Sequence, residues 1–333
     1  MKMLGAQSRH RPANLSSERK NQGLSEVISV PHDEVIAVAL RSTTIPPRTI
    51  VKLAKMLDGN HSLSHIFIPE GSKGGFQSLD ISSACLAVSK RLHIGSGVIR
   101  ILEHDPDVLA KRLLTFQELS GNRFFLGIGT GPPGKFPKQT IRSMLGRLDA
   151  TIERFRKLAE ESSRKIPETF IATLRVGIAK VVAGHSDGIL LNFCPPQYAG
   201  KLIKSIGNAS GKRPTVSCYL KIFYSRSEET AKRMLVEELV SYNLNPSYHE
   251  MFKSAGVAQE IASANSALAS GREHDLDGKL RQISLANPTK GELASYVNRF
   301  RAAGVDIPCL YPYFESNEDE TFMISKVKEL TRL

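Results

Sequence analysis

KRLHIGSGVIRILEHDPDVLAKRLLTFQELSGNRFFLGIGTG, residues 90–131, holds two short β-type runs, LHIGSGVI and RFFLGIG, each ending in glycines. Between them Asp105-Pro106-Asp107 opens a segment in which Val108, Leu109, Leu113, Phe116 and Leu119 recur at helical spacing. Strand, helix and strand at this separation make a βαβ unit, with parallel strands and a right-handed crossover. The glycines fall at the strand ends, where α/β folds keep their ligands.

The same alternation extends to both sides. Further strands are expected at Val35–Leu40, Leu63–Ile68, Thr169–Thr173, Ile189–Asn192, Thr215–Phe223 and Pro308–Tyr311. Helices are expected at Arg48–Leu57, after Pro46-Pro47, and at Ser78–Arg91, Ile141–Glu161 and Ile178–Gly184. Gln197–Ile206, Glu228–Val240, Glu292–Ala303 and Glu320–Leu330 continue the helical series. A helical insertion, Pro246–Leu285, precedes the last strand. Eight strands alternating with helices point to an α/β fold of the (β/α)8 TIM-barrel type rather than a doubly wound sheet. The barrel is expected over residues 32–333. Residues 1–31 are basic and polar and read as a disordered tail; a transit peptide is the alternative reading.

At 333 residues, 41% hydrophobic and 23% charged, the composition is that of a soluble globular protein. No run approaches the ~18 apolar residues of a membrane helix. Cys85, Cys194, Cys218 and Cys309 are scattered, without Cys-x-x-Cys pairing, so neither a metal knuckle nor a disulfide framework is expected, and a reducing, cytoplasmic setting fits. The net charge of +12 raises nucleic acid as a partner, but no nucleic-acid module appears and the basic residues are dispersed. An anionic cofactor or substrate is the better use of that charge.

Gly129-Thr130-Gly131-Pro132-Pro133-Gly134-Lys135 spells GxGxxG and also a Walker A loop up to its lysine. Phe136 then stands where the magnesium-binding hydroxyl belongs, and Pro137 follows. Both departures weaken the nucleotide readings, and a nucleotide-phosphate enzyme using Gly129–Lys135 stays as a lesser alternative. In Ile94-Gly95-Ser96-Gly97-Val98 two glycines meet the strand end, either as a kink in a plain strand or as a backbone bulge at a ligand.

These stretches resemble the luciferase-like superfamily of flavin- and deazaflavin-dependent oxidoreductases, above all the branch that includes methylenetetrahydromethanopterin reductase. The matching positions are Ile66–Gly71, Ile94–Val98, Pro106, Ala110, Leu119-Ser120-Gly121, Arg123–Gly131, Ser186–Asn192 and Ala303-Gly304-Val305-Asp306. The resemblance implies coenzyme F420 or FMN at the mouth of the barrel, hydride transfer with a small organic substrate, and a homodimer. It implies a bulge with a non-prolyl cis peptide at Gly97–Val98. It points to Ser96, Gly97, Val98, Gly129, Thr130, Thr173, Asn192 and Phe193 for the cofactor, with Arg175 as this chain's own further candidate, and to no metal. Glu70, at a strand end, is the candidate catalytic carboxylate, or else a turn residue; Arg100 is a candidate for an anionic group. Arg175-Val176 departs from the Gly-Pro usual in relatives. Arg175 either holds a phosphate or fills the pocket, and the latter leaves a non-catalytic, flavin-binding or structural barrel as the alternative function.

Overall fold

Strand β1 (Ile36–Ala39) is four apolar residues buried on both faces, the mark of a parallel strand covered by helices. The computed structural model describes residues 35–71, 75–130, 141–160, 162–207, 213–270 and 278–333. The expected tail and the Gly131–Lys135 part of the Gly129–Lys135 motif therefore lie outside the described residues.

β1 is followed by α1 (Pro47–Leu57), β2 (Leu63–Ile68), α2 (Ser78–Val88), β3 (His93–Ser96) and the short β4 (Ile99–Arg100). Next come α3 (Pro106–Ser120), β5 (Phe124–Gly129), α4 (Ile141–Ala159), β6 (Glu168–Ala172), α5 (Val176–Val182) and β7 (Gly188–Asn192). The chain continues through α6 (Pro196–Ile206), β8 (Thr215–Tyr224), α7 (Glu228–Asn243), α8 (Pro246–Ser254) and α9 (Ala258–Ala269). It ends with β9 (Ser284–Ala286), α10 (Lys290–Ala302), β10 (Ile307–Phe314) and α11 (Glu320–Leu330). All strand pairings are parallel, in the order β10-β1-β2-β3-β5-β6-β7-β8, and β10 pairs again with β8. That last pairing closes an eight-stranded (β/α)8 barrel. No helix among the described residues is long and apolar enough to cross a membrane.

The central unit owes its ends to local chemistry. The Asp105 carboxylate accepts from the Asp107 and Val108 amides and caps α3, with Pro106 in its first turn. Gly121, at φ 64°, stops the helix in the left-handed region.

Strand alternation sorts the core into two layers. Ile66, Ile94, Leu126, Ile171, Ile189, Val216 and Leu310 are fully buried under the helices. Among their neighbours, Phe67 of β2 meets Phe125, Phe170 and Tyr219, all on strands not paired with β2, such as Phe170 at 5.7 Å, which only the barrel lumen permits. His65 closes the lower end of this layer, and burial pushes its imidazole down to about 3, so the ring is neutral.

One expectation needs correction. The insertion at Pro246–Leu285 is not helical throughout: after α8 and α9 the chain returns to the sheet as β9, parallel to β8 through Lys221, Ile222 and Phe223. The Ser284 hydroxyl donates to the Lys221 carbonyl at 2.8 Å and the Tyr296 hydroxyl to the Ile283 carbonyl at 2.5 Å. Free backbone groups on the edge of β8 outweigh the weak helix preference of a three-residue run.

Candidate active site

The wall formed by β3, β4 and β5 carries a built-in irregularity. Gly95 pairs with Phe125 and Ile99 with Ile128, so four steps on one side (95 to 99) match three on the other (125 to 128). One extra residue makes this a bulge, and the Gly97–Val98 peptide within it is cis, as the resemblance implied. The Ser96 hydroxyl donates to the Gly127 carbonyl at 2.9 Å and accepts from the Gly127 amide at 3.0 Å, bridging the interrupted ladder. Ser96 is fully buried, and its hydroxyl belongs to the wall. Gly97 is held by its neighbours: its amide donates to the Ile68 carbonyl at 2.9 Å, and its carbonyl accepts from the Tyr219 hydroxyl at 2.6 Å. A Cβ here would stand 2.0 Å from the Tyr219 hydroxyl, so glycine is needed for the approach of a tyrosine. Gly129 lies against Val98, whose methyl would be 2.9 Å from any Cβ added there.

Opposite, the sequence reading missed a cluster. Tyr219, Lys221 and Phe223 alternate along β8, and Tyr311 and Tyr313 along β10, with Lys221 paired to Tyr311 and Phe223 to Tyr313. The Lys221 side chain has 0% exposure. Its Nζ donates to Glu238 of α7 at 2.6 Å and stands 3.8 Å from the Tyr242 ring centre, 4.4 Å from Phe193 and 4.9 Å from Tyr313. An ammonium out of water is stable here because a carboxylate and ring faces replace its hydration. Burial alone would raise Glu238, but Lys221 and then Arg41 outweigh it and hold the carboxyl below its usual range. The available signal was a lysine alternating with aromatics inside an otherwise apolar strand.

Glu70 stands past the end of β2 with its side chain 7% exposed, 3.8 Å from the Arg100 guanidinium, and accepts from the Arg100 amide at 3.4 Å. Arg100 also meets Glu103 at 3.0 Å. Two carboxylates on one guanidinium leave a local negative excess, which weakens Arg100 as a receptor for anions. His104 beyond them is neutral-leaning: burial lowers its pKa more than Glu70 raises it.

The remaining candidates divide into two places. Just past β6, the Thr173 hydroxyl accepts from the Arg175 amide at 3.2 Å, and the exposed Arg175 leads into α5. At the end of β7, Asn192 Nδ2 donates to the Tyr248 hydroxyl at 2.6 Å and reaches that of Tyr242 at 3.4 Å, while its Oδ1 is buried with no partner among the described residues. Phe193 follows, fully buried at φ 54° under Lys221. The structure thus joins Ser96, Gly97, Val98 and Gly129 in one wall, and Asn192 and Phe193 in the aromatic cluster, with Tyr219 linking the two. Thr130 follows Gly129 at the rim, partly buried; the Arg175 side chain joins neither group. An apolar-walled groove of about 650 Å³ between α6 and α10, with Lys201, Lys204 and Arg299 on it, lies on the outer surface, away from the strand ends.

Residues 33–156 match the luciferase-like monooxygenase family. No curated protein sequence matches the chain. Among solved structures, the coenzyme F420-dependent tetrahydromethanopterin reductase of Methanopyrus kandleri is similar at a TM-score of 0.64 and 10% identity, covering 90% of this chain and 97% of that one. An F420-dependent secondary alcohol dehydrogenase, in complex with an F420–acetone adduct, gives 0.64 and 13%, over 89% of this chain and 98% of its own. The oxygenating constituent of 3,6-diketocamphane monooxygenase from Pseudomonas putida, in complex with FMN, gives 0.61 and 12%, over 90% and 97%. Residues 33–156, which include the bulged wall, thus match the luciferase-like monooxygenase family, and the chain as a whole shares the barrel fold of these structures.

Proposed function

We propose that the chain is an oxidoreductase that holds FMN or coenzyme F420 at the C-terminal mouth of the barrel and acts on a small organic substrate. The observation that carries the reading is the buried amide of Asn192. Its oxygen has no partner among the described residues, and turning the amide over would leave its nitrogen short instead. A buried polar atom left unpaired costs about 1–3 kcal/mol, and a ligand hydrogen bond at the end of a barrel strand relieves it. The luciferase-like match over the bulge supports the same place.

A bound flavin or deazaflavin ring supplies the hydride chemistry. In this reading the chain supports the ring on Val98, Gly129 and Thr130. Asn192 completes its hydrogen bonding with the group, and Thr173 and Arg175 take its phosphate-bearing tail. Glu70, fixed by Arg100, is the carboxylate placed to exchange a proton with the substrate, and the buried tyrosines of β8 and β10 exclude water. A second reading, a flavin-binding or structural barrel without catalysis, is favoured by Tyr219, Lys221, Tyr311 and Tyr313, which fill the mouth side of the lumen up to Gly97. Titrating the full chain with FMN and with F420, followed by fluorescence, separates them. Saturable binding weakened in Asn192→Leu, with reduction of the bound ring by a substrate panel, is the expected result. Binding without any reduction favours the second reading, and no binding of either removes the first. Assembly as a homodimer is part of the proposal and is checked by sedimentation equilibrium.

A further inference from the structure

Two imidazoles and a carboxylate meet at the end of the barrel opposite the mouth. His65 is the third residue of β2, His93 the first of β3 and Glu168 the first of β6, and strand pairing sets His65 beside His93. Their rings are 5.1 Å apart. One ligand-capable atom from each of His65, His93 and Glu168 lies within 4.8 Å of the other two. The proposed cofactor chemistry at the mouth uses none of them.

Ser64 orients the first imidazole. Its hydroxyl lies 3.2 Å from the Ile36 carbonyl and 2.7 Å from His65 Nδ1. With its one proton given to the carbonyl, the hydroxyl oxygen accepts from Nδ1–H, and Nε2 keeps a bare lone pair. Outer partners fix metal-binding histidines in this way.

We propose that His65, His93 and Glu168 form a site for one first-row divalent transition ion of the zinc type, with water as a further ligand. Imidazole nitrogen with carboxylate oxygen suits such ions better than magnesium or calcium. Bonds of about 2.0–2.2 Å to a tetrahedral ion set neighbouring ligand atoms about 3.4 Å apart, so the three groups draw inward on binding. Glu168 is exposed and opens its strand, which leaves its side chain free to make most of that movement. The guanidinium charges of Arg91 and Arg123 oppose the ion near His93. Both are engaged by carbonyls, Arg91 with Asp58, Asn60 and Leu63, and Arg123 with Ser89 and Leu92. An ion here ties β2, β3 and β6 together across β5, a structural clamp on the floor of the barrel. The site stands or fails independently of the mouth.

The test is a titration of the untagged, metal-stripped full chain with Zn²⁺ against a chromogenic chelator, and with Co²⁺ followed by visible absorption. One equivalent taken up, cobalt bands of four-coordinate intensity, a rise in melting temperature with zinc and no competition by Mg²⁺ are expected. Glu168→Gln and His93→Asn each weaken zinc by at least about tenfold, while His249→Asn, on α8, leaves it unchanged. The exposed position of Glu168 keeps its variant folded whatever becomes of His93→Asn. No uptake by the wild type, zinc binding unchanged in Glu168→Gln, or equal competition by Mg²⁺ overturns the site.

Discussion

A methyl group on Gly97 would stand 2.0 Å from the Tyr219 hydroxyl and 2.8 Å from Phe67 Cβ. Gly97→Ala is therefore expected to lower stability by about 1–3 kcal/mol through overpacking, read from urea unfolding. Tyr219→Phe leaves the Gly97 carbonyl without its donor, a loss of about 1–3 kcal/mol. Because the same hydroxyl causes the clash and makes the bond, the double variant should lose less than the sum of the two, and strict additivity would refute the contact. Arg175 is a different kind of position, exposed and at the rim. If it takes the cofactor's phosphate, Arg175→Ala weakens FMN about tenfold, the lower end for a charge-assisted contact in water, and leaves riboflavin nearly unaffected. Equal loss for both ligands would remove the phosphate role.

Helix α7 is fastened to the barrel through Glu238, which faces Lys221 of β8 at 2.6 Å and Arg41 past β1 at 3.9 Å. The two ends of the Lys221 pair are not equivalent. Glu238→Gln leaves a buried ammonium among rings with no counter-charge, at about 3 kcal/mol. Lys221→Met removes the buried charge while Glu238 keeps Arg41, so it should cost clearly less. Thermal melts of both variants check the order, and Lys221→Met as the more damaging change would contradict it. Helix α10 depends on its start: the Thr289 hydroxyl accepts from the Glu292 amide at 3.3 Å, and Glu292 accepts from the Thr289 amide at 2.8 Å. Thr289→Ala should cost about 1 kcal/mol, and amide exchange in the first turn of α10 should quicken with it.

Acid should loosen the entire barrel, and the sign follows from three groups. Burial lowers His104, so as pH falls below about 6.5 the unfolded chain takes up a proton that the folded chain refuses, and stability drops. Asp58 and Glu238 are lowered despite burial, the first by the amides of Arg91, Lys90 and Leu92, the second by Lys221 and Arg41. Their contribution is complete above the usual carboxylate range and is lost as pH falls through about 4 and below. The urea midpoint, measured with a chelator present, should therefore fall from pH 7 to pH 4. A flat or rising profile would show that these groups do not act as described.

The βαβ unit at residues 90–131 and the strand series were legible in the chain, because period-two and helical spacings and glycines at strand ends are local signals; the bulge at Gly97–Val98 followed from the family resemblance, since the glycines alone also allowed a plain kinked strand. Glu70 and Arg100 were legible as residues of the strand ends, though not as partners of each other. The Lys221 cluster, the three groups at the floor and the strand β9 were not. The first two depend on which strands come to face one another across the lumen, which is decided only when β10 pairs with β8 and closes the barrel, and β9 depends on the edge of β8 left free beyond β7. Closure turns Tyr219 toward Gly97 and sets Glu168 beside two histidines from other strands. Local sequence determined the elements and the irregular wall, whereas the contacts that give those elements chemistry are long-range and exist only in the closed barrel.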